Sequence, residues 1–132
     1  MHSNQFTVEQ ANAIIPWLES TLKKALSLQQ KLSALQDHSL ELLRESLGNG
    51  HKSQGRKVAE NQAIIEKYQA KLERLVQDVT NKGVIVRDLS QGLVDFLSFR
   101  DNHAVYLCWR LGESEVSYWH DCDTGFLNRQ PL

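Results

Sequence analysis

The side chains able to do chemistry are concentrated in the last fifth of the chain. YLCWRLGESEVSYWHDCDTGFLNRQPL, Tyr106 to Leu132, holds both cysteines (Cys108, Cys122), His120, Arg110 and Arg129, and the carboxylates Glu113, Glu115, Asp121 and Asp123. An imidazole beside two carboxylates, His120 with Asp121 and Asp123, is a donor set for a divalent cation. No HxH or HExxH spacing accompanies it, so the simpler role is favoured: a histidine at a strand end, bonded to a carboxylate or a backbone carbonyl. No cofactor is predicted, and a divalent metal is the one these residues admit. His2, His38, His51 and His103 fall in a tail, a helix, a loop and a turn.

Arg110 and Glu115 read as a cross-strand ion pair. Between Tyr106 and Trp119 the same arginine can also stack and grip a carboxylate or phosphate, with Arg129 approaching from the tail. The candidate ligand-binding set is therefore Arg110, Glu115, Trp119, His120 and Arg129. Cys108 as a nucleophile needs a base beside it. The expected register puts it on the face of Arg110 and Glu115, away from His120, so it reads as a small buried side chain. TGFLNRQPL is specific for a terminal segment. It predicts a tail docked on the sheet, either closing a pocket with Arg129 or sealing the core.

Two elements must position these residues. Residues 7–82 carry a helical period. Thr7 and Gln10 make a capping box, and Pro16 predicts a short first helix with a kink or restart. The stripe then runs Leu18, Thr21, Ala25, Leu28, Leu32, Leu35, Ser39, Leu42. A second stripe runs Val58, Asn61, Ile65, Tyr68, Leu72, Leu75, Val79. GNGHKSQG, Gly48 to Gly55, reads as the loop between them, and Gly83 as the closing cap. Such helices fold back as an antiparallel hairpin with a coiled-coil rhythm. Leu22, Leu26, Leu43 and Leu47 lie outside the seam and must bury against the sheet or another chain.

Residues 83–132 alternate with period two. GVIVRDL, GLVDFLSF, HAVYLCWR and EVSYWH read as strands. A two-residue turn at Gly112–Glu113 pairs Arg110 with Glu115, Cys108 with Ser117, Tyr106 with Trp119 and Val105 with His120. That separates Cys108 from Cys122 and predicts two free thiols. A one-residue slip would exchange the faces of one strand.

The 132 residues suit a single domain, 1–132. Formal net charge is -1, from 15 basic and 16 acidic residues. That balance offers no electrostatic footprint for nucleic acid or a membrane surface. No apolar run approaches the roughly 20 residues of a membrane span, and MHSNQFTVEQ lacks the pattern of a secretory signal. Two cysteines are too few for a disulfide scaffold, so a cytoplasmic protein is expected.

GLVDF, VYLCWRLGESEVSYWH and GFLNRQPL, together with FTVEQANAIIPWL near the start, resemble the bacterial family termed domain of unknown function 2203. Leu97 stands where that family usually has a proline after GLVDF, so a rigid turn is not expected there. The resemblance implies a cytosolic prokaryotic protein and no known activity.

The expected fold is α+β: a long antiparallel helical hairpin packed with a small antiparallel β-sheet of three or four strands. The leading functional reading is a non-enzymatic interaction or self-association module, a homodimer or a grip for a partner helix. The alternative is a small-ligand enzyme, binding a small anion, or a metal-dependent one. Its site would lie on the C-terminal sheet near Arg110, His120 and Arg129.

Overall fold

A computed structural model describes residues 5–49 and 52–132. Helices α1 (Val8–Asn49) and α2 (Lys52–Asn81) precede five strands: β1 (Val84–Asp88), β2 (Leu93–Arg100), β3 (His103–Arg110), β4 (Tyr118–Asp121) and β5 (Gln130–Pro131). The fold is α+β, and the sheet is an antiparallel meander in the order β1-β2-β3-β4-β5. The sheet has five strands where three or four were expected. The addition is the tail itself, whose Gln130 and Pro131 pair with Trp119 and Tyr118. Among the described residues no helix is long and apolar enough to cross a membrane.

By packing, the chain divides into two compact units, one of residues up to Leu26 with Leu75–Leu132, the other Ser27–Arg74. In the second unit every described residue is helical. Leu32, Ser39, Leu42, Asn61 and Ile65 are buried in it, with Leu28, Leu35, Val58, Tyr68 and Leu72 half-buried, as the two stripes predict. Asn61 sits in the seam and donates from Nδ2 to the Leu35 carbonyl at 2.8 Å, so its burial is hydrogen-bonded.

In the first unit Thr7 and Gln10 form the capping box reciprocally. The Thr7 amide donates to Gln10 Oε1 at 2.9 Å and the Gln10 amide to Thr7 Oγ1 at 3.1 Å. The break expected at Pro16 does not occur, since α1 runs through it. An interior proline costs a helix about 3 kcal/mol, but Ala11, Ile15, Leu18 and Leu22, on both sides of it, are buried in one core and offset that cost. Of the loop expected over Gly48 to Gly55, Gly48 and Asn49 belong to α1 and Lys52 to Gly55 to α2, while residues 50 and 51 lie outside the described residues. A helical glycine costs about 1 kcal/mol, little against the packed stripes on either side. Gly83 ends α2 at φ 89°, where its amide donates to the Thr80 carbonyl at 2.9 Å.

The sheet has two unlike faces. Val84, Val94, Phe96, Leu107 and Trp109 pack with Ala11, Ile15, Leu18, Leu22 and Val79 into the main core. The opposite face carries Asp95, Tyr106, Cys108, Tyr118 and His120, because side chains alternate along each strand and Asp95 pairs with Cys108, Tyr106 with His120, and Cys108 with Tyr118.

This register is one residue from the expected one. Val105 faces Asp121 and Leu107 faces Trp119, and among the described residues Arg110 and Glu115 form no ion pair. The cause lies in the connection Leu111–Ser117, which is longer than a two-residue turn. The buried Trp109 indole needs an acceptor and donates to the Glu113 carbonyl at 3.1 Å. The Arg110 amide donates to Glu113 Oε1 at 2.7 Å. Val116 is buried, and its amide donates to Asn12 Oδ1 at 2.7 Å. These anchors draw chain into the loop and move β4 by one position. The slip places Cys108 and His120 on one face, where the expected turn kept them apart.

Candidate metal centre

At the middle of the second face three donors of different chemistry converge. Asp95, from β2, is 2% exposed, Cys108, from β3, 1%, and His120, from β4, 3%. A carboxylate oxygen, Sγ and an imidazole nitrogen of these residues all lie within 4.8 Å of one another. Asp95 is an aspartate in the interior of a strand whose neighbours Val94 and Phe96 are fully buried.

His120 is held from both ends. Nδ1 lies 2.8 Å from the Asp121 carbonyl oxygen, and Nε2 lies 3.1 Å from each Asp95 oxygen. Both neighbours are acceptors. If Nδ1 donates to the carbonyl in a neutral ring, the Nε2 lone pair faces a carboxylate. That arrangement requires a proton or a metal cation between them. No ring nitrogen is left over for a substrate, so His120 is poorly placed as a general base.

Two further groups complete the surroundings. Arg87 Nε donates to Asp95 Oδ2 at 2.8 Å, and this bond holds the guanidinium pKa above its usual value against the opposing effect of burial. A register shift between Val86 and Asp88 leaves Arg87 unpaired across the sheet. Its guanidinium stacks 4.8 Å from the Tyr106 ring centroid. Burial, reinforced by the Asp95 carboxylate, pushes the Cys108 thiol up to about 12. A thiol held neutral at physiological pH is no nucleophile by itself.

Above these groups opens a pocket of about 300 Å³. Arg87, Asp95, Cys108 and His120 line it on one side, and Leu93 and Phe126 add apolar surface. The tail therefore does border a pocket, through Thr124, Gly125 and Phe126. Cys108 and Cys122 are both free; the Cys122 thiol donates to the Ala104 carbonyl at 3.3 Å.

The residues singled out in the sequence are distributed differently. His120 is in the cluster. Asp121 contributes its carbonyl, and Asp121 and Asp123 are exposed. Arg129 pairs with Glu113 and stacks 3.8 Å from the Tyr118 ring centroid. Arg110 lies over Phe126 at 5.4 Å, while the cation over Trp119 is Arg100, at 4.8 Å. Glu115 is exposed. Arg110 ends β3, Trp119 packs from β4 against the main core, Glu115 is in the loop and Arg129 precedes β5, and none of the four lines the pocket. Of the cluster residues, Arg87 was missed, Asp95 was one of the more distant carboxylates and was left out of the candidate set, and Cys108 was not expected as a partner of His120. One signal was legible: aspartate is depleted inside strands, and the apolar alternation of GLVDFLSF is interrupted by one.

No curated protein and no solved structure matches this chain. The profile of the uncharacterized conserved protein family DUF2203 matches residues 4–132, nearly the whole chain, and the chain belongs to that family.

Proposed function

We propose that the protein is a metal-dependent binding domain, in which Asp95, Cys108 and His120 hold one divalent transition-metal ion at the floor of the pocket. The observation that carries this reading is the His120 ring. With Nδ1 turned to a backbone carbonyl, as in histidine metal ligands generally, Nε2 faces Asp95 and Cys108. A thiolate and an imidazole favour zinc, cobalt or a similar ion over magnesium or calcium. Ligand atoms around tetrahedral zinc stand roughly 3.3–3.8 Å apart, so the cluster closes on an ion by a movement on the order of 1 Å. Three protein ligands leave a fourth position for water or a ligand, the pattern of catalytic zinc sites. The bound ion would deprotonate the Cys108 thiol outright. Two free thiols fit a cytoplasmic setting.

The test is titration of metal-free protein with Co²⁺, followed by its thiolate charge-transfer absorption, and with Zn²⁺ by native mass spectrometry. Wild type should bind one equivalent. Cys108→Ser should lose the thiolate band while staying folded, and His120→Ala should lose stoichiometric binding. Wild type binding no more metal than a variant lacking all three donors would sink the reading.

A second reading, self-association, rests on the helical unit, where Leu40, Leu43, Leu47 and Ile64 are exposed. Leu22 is buried in the main core and Leu26 half-buried, so only the distal pair of the surplus leucines is left for another copy of the chain. A stable dimer needs roughly 800 Å² from each partner. Sedimentation showing only monomer at tens of micromolar removes this reading.

A further inference from the structure

We infer that the fourth coordination position takes a small monocarboxylate, held jointly by the metal and by Arg87; this rests on the metal reading above. The argument begins with charge. A divalent ion with the Asp95 carboxylate, the Cys108 thiolate and a neutral His120 sums to zero. Arg87, bonded to Asp95 at 2.8 Å, adds one positive charge. Among the described residues no second carboxylate lines the pocket, so the loaded site carries about +1 in a place where the three ligands are almost fully shielded from water. An anion bearing one charge balances it. A phosphate dianion would leave the site negative with no further cation among its lining residues.

Geometry selects the same class. Arg87 offers five N–H donors in a planar fork; Nε is spent on Asp95 and a further hydrogen bond goes to Tyr106, which leaves donors for a ligand. The guanidinium carbon lies 4.8 Å from the Tyr106 ring centroid, a contact that restrains the Arg87 side chain. Its side chain is 43% exposed, whereas Asp95 is 2% exposed, so Arg87 spans from the buried floor toward solvent. A rigid planar fork matches a planar carboxylate in two-point contact. Leu93 and Phe126, on the same pocket, offer apolar surface to a short alkyl or aryl group, and a volume of about 300 Å³ lies at the small end of ligand sites. Thr124, whose hydroxyl donates to the Asp121 carbonyl at 3.2 Å, also lines this space.

The experiment titrates the Co²⁺-loaded protein with acetate, benzoate and inorganic phosphate, following the cobalt absorption. Both carboxylates should shift the bands saturably, benzoate more tightly because of Leu93 and Phe126, and phosphate should be weaker than either. Arg87→Gln should weaken benzoate about tenfold or more while binding Co²⁺ in the same stoichiometry. Arg87→Lys, which keeps the charge and loses the fork, should fall between. Cobalt bound but unmoved by carboxylate overturns this inference alone. So does phosphate binding as well as benzoate, or Arg87→Gln binding benzoate like wild type. Failure of the wild type to bind cobalt overturns the metal reading and this one with it.

Discussion

Replacing the buried thiol, Cys108→Ala, should change how stability depends on pH in metal-free protein. The Cys108 pKa is pushed from 9.0 to about 12, by burial first and the Asp95 carboxylate second. Below pH 9 the thiol is neutral in both folded and unfolded chains and contributes no pH dependence. Between pH 9 and 12 the unfolded chain releases the proton and the folded chain keeps it. The folded state then binds more protons, so stability falls as pH rises. The stability present in full below pH 9 is lost progressively toward pH 12. The two pKa values give a loss of roughly 1–2 kcal/mol by pH 10 and roughly 3 kcal/mol by pH 11. The alanine variant lacks this loss and instead carries a pH-independent cost of about 1 kcal/mol for the lost volume. Urea unfolding of both proteins from pH 7 to 11 isolates the effect, because the lysines and tyrosines common to both cancel in the difference. The wild-type advantage should shrink above pH 9 and reverse by pH 11. A constant difference across that range would refute the claim that the Cys108 sulfur is shut away from water beside a carboxylate. Adding Zn²⁺ should abolish the alkaline loss, since a metal replaces the proton on sulfur.

Gly92 sits at φ 63°, and a Cβ there would stand 2.5 Å from the Leu111 Cβ; Gly92→Ala should therefore cost about 2 kcal/mol or more in chemical denaturation, combining left-handed strain with the clash. Thr7→Ala removes one half of the capping box and should cost about 1 kcal/mol by the same assay. Asn61→Ala deletes the buried bond to the Leu35 carbonyl and should cost about 1–2 kcal/mol; thermal melting that leaves this variant unchanged would show that the seam does not depend on that bond.

The helical half was legible because its information is local. A stripe recurring every three or four residues specifies which side of each helix is buried, whatever it packs on, and Leu18, Ala25, Leu32, Leu42, Ile65 and Val79 are all buried. The capping box and Gly83 involve residues within a turn of each other, so their geometry is a property of the local chain. Period-two alternation marked β1 to β3 for the same reason. Pro16 misled because a local preference was overridden by a core assembled from distant segments: Ala11 and Ile15 join Val94 and Trp109. The fifth strand, Gln130–Pro131, has too few residues to show any period.

Beyond His120 the site was not legible, and the reason is parity. By itself the sequence determined that HAVYLCWR is a strand, that its side chains alternate, and that one of its faces carries Cys108. Whether His120 shares that face depends on whether β4 is paired in one register or the next, and a shift of one residue exchanges the faces. That choice was made by contacts from elsewhere in the fold, the Trp109 indole on the Glu113 carbonyl and the Val116 amide on Asn12 of α1. Asp95 and Arg87 come from two other strands, and only sheet order places them beside the pair. Strand periodicity tells each residue which way it points relative to its own neighbours. It carries no information about which residue of another strand points the same way, and a site built from four strands exists only once tertiary packing has set every register between them.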